Sequence, residues 1–247
     1  MALSFKRPNR RLIELPLLKP TLLNIDCSHN QIVNLPEQLP EGLIELDCSD
    51  NQIVNLSEHL PNHIRRLYCR YNQIVNLPQN LPESVTFLDC CHNQIVNLPQ
   101  NLPALLENLS CSNNQIVNLP ELPPTILRMW CSDNQIHTLQ PLPPNLMVLV
   151  CQNNNLTTIP KLPESIWSIN LNGNPIRTLP DIPYGLYSLR IKGHNLMSLP
   201  VNFPDKFRTP KLLNEIKENV DYRQAQIDAI PDKLVIKDIK NLIMAFL

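Results

Sequence analysis

Cysteine and histidine are the residue types best able to do chemistry in this sequence, and the cysteines are evenly spaced. Cys27, Cys48, Cys69, Cys90, Cys111, Cys131 and Cys151 recur every 20 or 21 residues, and only Cys91 stands outside the series. Thiols can ligate zinc, cycle redox states or act as nucleophiles. A row with one thiol per repeating unit suits none of these. Equivalent Cβ atoms on stacked strands sit about 4.8 Å apart, wider than the ~3.8 Å of a relaxed disulfide. Zinc needs four ligands converging tetrahedrally, which a straight row does not supply. The row is therefore expected to behave as small buried hydrophobes. Cys90-Cys91-His92 is the single local cluster, and alternation turns Cys91 outward, so Cys91 is expected to be the exposed thiol. His29 and His92 lie three units apart and cannot share an ion. There is no P-loop, no glycine-rich dinucleotide turn, no His-Glu-x-x-His and no spaced nucleophile–base–acid set. The expectation is a protein with no catalytic residues, no metal and no cofactor.

The elements that position these cysteines come from a repeat. Asn-Gln-Ile-Val-Asn-Leu begins unchanged at Asn30, Asn51, Asn72, Asn93 and Asn114, with looser copies at Asn134, Asn154 and Asn174. Five identical copies suggest recent duplication or homogenisation. A fixed period of 20–21 residues means stacked units that bury one continuous core. Within Leu43 to Leu56 the apolar residues fall as L-x-x-L-x-C-x-x-N-x-I-x-x-L. The alternation Leu46, Asp47, Cys48, Ser49 has a period of two and reads as a short strand with one buried face. The asparagine column sits where the chain turns away from the sheet, and an amide can both donate and accept there. Hydrophobic residues make up 43% of the chain but aromatics only 5%, so leucine and isoleucine must fill the core.

This pattern resembles the leucine-rich repeat. The trailing Leu77-Pro78-Gln79-Asn80-Leu81-Pro82 is similar to the short "LPX" class of bacterial effectors, over about four-fifths of the chain. A second resemblance, carried by the cysteines, is to repeat proteins of giant amoebal viruses. The resemblance implies an α/β repeat solenoid, right-handed and shallowly curved. Nine stacked parallel strands would make its sheet, extended or polyproline-II segments its convex side, and a short helical cap its C-terminal end. Proline fixes φ and lacks an N–H, so the return segments cannot be helical. Some proteins of the LPX class add a ubiquitin-ligase domain with a catalytic Cys-x-Asp. Cys48-Ser49-Asp50 and Cys131-Ser132-Asp133 match those letters, but their sulfurs face the core, and the 47 residues after Pro200 are too few for that domain.

Three regions follow. Residues 1–20 form a degraded capping unit, with Leu12, Leu15 and Pro16 each 20 residues before Ile32, Leu35 and Pro36. Residues 21–200 hold about nine repeats. Residues 201–247 form a helical cap or tail: Thr209-Pro210 opens a helix to Val220, Asp221 caps a second to Ile230, and Pro231-Asp232 opens a third.

Function, on this reading, sits on the outward positions of the strands, which vary while the core repeats. The face is acidic early (Asp26, Glu45, Asp47, Asp50, Asp89) and aromatic in the middle (Tyr68, Tyr71, Phe87). It becomes apolar around Trp130, Val148 and Val150 and basic at Arg190 and Lys192. Aromatic and arginine side chains are favoured interface anchors. Tyr68, Phe87, Arg128, Trp130 and Val150 are therefore the candidate protein-binding strip. The rival is a solvated sheet face with scattered apolar residues. A net charge of −1 gives no electrostatic footprint for nucleic acid, and no apolar run is long enough to span a membrane. Eight cysteines without a signal segment suit a reducing, cytoplasmic setting, in the resemblance's terms a host cell. The expected function is non-catalytic protein–protein interaction with an unknown partner. The alternatives are a substrate adaptor whose tail recruits a ubiquitin-ligase component, and a repeat array of no defined activity.

Overall fold

The computed structural model describes residues 4–228, with side chains as far as Tyr222. Ten three-residue strands form one parallel sheet in chain order. They are β1 (Ser4–Lys6), β2 (Asn24–Asp26), β3 (Glu45–Asp47), β4 (Arg66–Tyr68), β5 (Phe87–Asp89), β6 (Asn108–Ser110), β7 (Arg128–Trp130), β8 (Val148–Val150), β9 (Ser168–Asn170) and β10 (Ser188–Arg190). The sequence pattern predicts nine. The tenth is β1, where Phe5 pairs with Ile25 at the central strand position although its unit lacks both the cysteine and the asparagine.

The repeats bury nearly the same set, with Leu35, Leu139, Leu142, Leu179, Leu189 and Leu199 only partly covered. In the second full unit Leu43, Leu46, Cys48, Ile53, Leu56 and Leu60 lie inside. Each such leucine contributes about 1.5–3 kcal/mol by leaving water. The chain enters β3 to β10 through a turn closed on the last Leu-Pro or Ile-Pro of the preceding segment. Leu43 N–H donates to Pro40 O at 3.0 Å, and Val85 N–H donates to Pro82 O at the same distance. Proline supplies the acceptor and is spared a donor it does not have. The return segments between repeats contain neither helix nor strand.

The strands end in a left-handed turn residue just before each asparagine: His29, Asp50, Tyr71, His92, Asn113, Asp133 and Asn153 all have φ between 52 and 57°. Gly173 and Gly193 take the same place at 71 and 76°. Freed from the sheet, the turn's backbone groups fall to the asparagine. Asn72 Nδ2 donates to Cys48 O (3.0 Å), Cys69 O (3.1 Å) and Arg70 O (3.2 Å), while its Oδ1 accepts from Ile53 N–H (2.9 Å). The same four-bond pattern recurs at Asn51, Asn93, Asn114, Asn134 and Asn154.

His194 replaces the asparagine in the last unit and ends the ladder. Its Nδ1 accepts from Leu196 N–H of the same unit (3.1 Å), and Ile176 N–H turns back to Asn174 O (2.8 Å). A helix, α1 (Pro210–Asp228), closes this end. Thr209 Oγ1 caps it by accepting from Leu212 N–H (3.2 Å), as Thr-Pro foretells. Leu212 is buried, Ile216 packs beside it, and Asn219 Nδ2 donates to Leu196 O (3.0 Å). The predicted break at Asp221 is absent: the helix runs through it unbroken, since no glycine or proline stands nearby to stop it. The third predicted segment, from Pro231 with Leu234, Ile239, Leu242 and Ile243, lies outside the described residues.

Candidate functional site

The thiol row is the densest array of potentially reactive side chains in the molecule. All seven column cysteines are buried and free. The thiols of Cys27, Cys48 and Cys90 each donate to the carbonyl of the next strand, Asp47 O, Tyr68 O and Ser110 O, at 3.4 Å. Burial pushes Cys27 up to about 12, and it drives Cys48, Cys69, Cys90 and Cys111 upward too. Cys131 is raised first by its hydrogen bond with Cys151 and then by burial. A thiol held protonated is neither nucleophile nor ligand. Among the described residues no group of three potential metal ligands forms.

Cys91 departs from expectation. It is half-buried rather than exposed, and burial followed by the nearby Asp89 carboxylate pushes it up to about 12. The cause is local. Short side chains at the third outward position tuck under the left-handed turn, so Ser28, Ser49 and Ser132 are buried as well. Only long side chains, Arg70 and Lys192, reach the surface from this position.

Two columns do face outward. The first reads Glu45, Arg66, Phe87, Asn108, Arg128, Val148 and the second Asp47, Tyr68, Asp89, Ser110, Trp130, Val150, paired in register across β3 to β8. In four strands the residue of the second column has a structural task. Asp26, Asp47, Asp89 and Asn170 each accept, through Oδ1, the backbone N–H two residues on, at 3.2, 3.0, 3.2 and 3.2 Å. That short loop steadies the turn. Much of the acidic character read along the early face is therefore turn chemistry. Tyr68, Trp130 and Val150 occupy the same column and cannot make this bond.

The five candidate residues fall into two groups. Tyr68 and Phe87 touch diagonally across β4 and β5, ring centroids 5.1 Å apart and tilted 39°. Burial, then the Glu45 carboxylate, raises the Tyr68 phenol above its ordinary range. Trp130 pairs with Val150 across β7 and β8, and Arg128 Nη1 lies 3.5 Å from Asn108 Oδ1. Between the groups runs β6, whose outward side chains are the short Asn108 and Ser110. None of the five is fully exposed: all are half-buried against their neighbours. Val148, read as part of the apolar patch, is buried.

The sequence reading missed two other surfaces. Leu127, Met147, Trp167 and Tyr187 stand one residue before their strands and extend the ladder. Met147 N–H donates to Leu127 O (2.8 Å), Trp167 N–H to Met147 O (3.0 Å) and Tyr187 N–H to Trp167 O (2.8 Å). Trp167 is 43% exposed and Tyr187 79%. The signal was the second letter of Leu-x-x-Leu, which is apolar in the first two repeats (Leu23, Ile44), polar at Arg65, Thr86 and Glu107, and apolar again in four successive late repeats. The left-handed turn residues form the second surface, a rim where Tyr71 stacks on His92 (4.1 Å) and His29 Nδ1 lies 3.6 Å from Asp50 Oδ2. A hollow of about 1110 Å³ lies elsewhere, along the early Leu-Pro return segments, with its lining between Leu15 and Asn80. No helix among the described residues is long and apolar enough to cross a membrane.

No protein-family model and no curated protein matches the chain. Solved structures do. YopM from Yersinia enterocolitica WA-314 is similar over 82% of the chain at 33% identity, with a TM-score of 0.68. The chain spans about half, 49%, of that protein's length. A Shigella effector leucine-rich-repeat domain matches 63% of the chain and 70% of its own, at 29% identity and a TM-score of 0.57. The functional domain of InlJ from Listeria monocytogenes, described as including a cysteine ladder, matches 78% of the chain and 49% of its own. Its TM-score is 0.63, but at 21% identity it speaks to the fold alone. Repeat length, strand register and these likenesses converge: the chain belongs to the leucine-rich-repeat proteins, in their short 20–21-residue form.

Proposed function

We propose that the chain is a non-catalytic recognition module that binds a protein partner on the outward face of its sheet, through Tyr68, Phe87, Arg128, Trp130 and Val150. The observation that carries this reading is the interrupted turn-capping column. Where Asp26, Asp47, Asp89 and Asn170 brace their own turns, Tyr68, Trp130 and Val150 forgo that bond. They offer half-buried apolar surface instead. Large side chains stand at these three places where a short turn-bracing residue recurs in four other strands, and partly exposed aromatic and aliphatic surface of this kind is what a partner buries. Aromatic and arginine anchors flanking the low β6 strand give a contoured surface into which a partner side chain fits. The likeness to effector repeat domains supports the same reading. So does a thiol-rich core, which suits a reducing, intracellular setting.

The test is affinity capture or proximity labelling in the native cell. It compares the wild type with the Phe87→Ala/Trp130→Ala double variant and with Glu121→Ala on the return side. The expected result is an unchanged melting temperature for both variants and loss of specific capture only in the double variant. Capture retained by a folded double variant removes this face from consideration.

A further inference from the structure

Where α1 meets the last repeat, the structure leaves a cavity of about 390 Å³ that the recognition face does not use. Its wall on the sheet side carries Arg190 and Lys192, and neither has an acidic partner among the described residues. Lys206 and Lys211 line the other side. Lys206 Nζ is already committed to Leu186 O at 2.5 Å, and Lys211 Nζ lies 3.8 Å from Glu215 Oε1. Glu215 is the single carboxylate lining the space, so the lining keeps a clear excess of positive charge. The first turn of α1 faces the same space and adds the positive end of its backbone dipole.

The floor is apolar, formed by the buried Ile191, Phe203 and Leu212. One polar group is set into it. The His194 side chain is 2% exposed, and its Nδ1 is taken by Leu196 N–H. That bond leaves the proton on Nε2. Nε2 lies 3.2 Å from Glu215 Oε2 but without the alignment of a hydrogen bond. The Glu215 carboxylate covers this imidazole, and the apolar floor beneath a cationic rim has the shape of a ligand site.

We propose that this cavity binds a small amphipathic anion: a carboxylate or phosphate headgroup held by Arg190 and Lys192, on an apolar stem lying against the half-buried Leu189 and Phe207. The headgroup gains charge-assisted hydrogen bonds, and the stem covers apolar surface that α1 leaves open. Occupancy ties the last strand to the cap helix, so the ligand stabilises this end of the array by mass action.

The experiment titrates the full chain with octanoate, octyl phosphate, inorganic phosphate and octylammonium. Heats of binding and amide shifts are followed across residues 186–216. The expected result is saturable one-to-one binding of octanoate or octyl phosphate, with shifts confined to that region. Inorganic phosphate is expected to bind at least about tenfold more weakly, and octylammonium not at all. Lys192→Glu should weaken octanoate or octyl phosphate by about tenfold or more, and Lys161→Glu should leave it unchanged. If Lys192→Glu fails to fold, Lys192→Gln and the salt dependence of wild-type binding take its place. Equal binding of octanoate and octylammonium overturns the proposal, because the site is then only an apolar crevice. Inorganic phosphate binding as tightly as octyl phosphate removes the apolar stem, and absence of saturable binding at millimolar ligand removes the site.

Discussion

Asn93 accepts Ile74 N–H and donates to Cys69 O, Cys90 O and Cys91 O, at 3.0 to 3.2 Å. Asn93→Ala leaves these backbone groups without partners, at a cost of about 1–3 kcal/mol. A lowered melting temperature with unchanged partner capture is the expected outcome; an unchanged melting temperature removes the ladder from the account of stability. The cysteines add a dependence on pH. Burial raises the folded thiols of Cys27 and Cys91 to about 12, whereas an unfolded thiol titrates near about 8.5. Below that lower value their contribution is complete. As pH rises from there toward about 12, the unfolded chain loses protons that the folded chain keeps, so stability falls. The urea midpoint should therefore decline steadily above about pH 9, and a midpoint flat through that window contradicts the buried-thiol assignment. Residue roles were unevenly legible in the sequence. The column residues announce themselves by identity at a fixed period. Cys91 and Ser49 mislead, because strict alternation assumes that the strand continues, whereas the chain has already turned left-handed at Asp50 and His92.

At the scale of elements, β1 and α1 close the two ends by different means. β1 is a strand of the array with a degenerate sequence, and Phe5 alone marks it. Twenty residues separate Phe5 from Ile25, but one aromatic without its cysteine and asparagine is too little pattern to see. α1 was visible through Thr209-Pro210 and the apolar spacing of Leu212 and Ile216. Its docking partners were not, since His194, Leu196 and Asn219 are brought together only by the fold. Leu212→Ala removes a buried contact at an end that can relax, so a loss of about 2 kcal/mol is expected. Its effect should be local, with faster amide exchange across residues 186–199 and little change before residue 150. Uniform acceleration along the chain means that the helix is not an end cap. The two groups of candidate residues on the sheet show the same division. Tyr68 and Trp130 were legible as departures from a repeat, while their separation by the low β6 strand needed the register.

For the whole molecule, repeats touch only their neighbours in sequence order, so stability is close to a sum of unit and interface contributions. Deleting residues 72–92, one complete unit, joins Tyr71 to Asn93 and preserves every register. The shortened chain should fold with the same type of circular dichroism spectrum and a modestly lower melting temperature. Loss of cooperative unfolding in that variant contradicts the nearest-neighbour picture. The asparagine ladder gives this array a direction. Asn51 reaches back to Cys27 O and Ile32 N–H, and Asn72 to Cys48 O and Ile53 N–H. In the asparagine ladder each turn is thus completed by the successor's amide. A chain emerging from the ribosome, N-terminus first, always has its newest repeat incomplete until another 20–21 residues appear. Assembly then proceeds as a front trailing synthesis by one unit, and the last unit, with no successor to wait for, is completed by a helix instead.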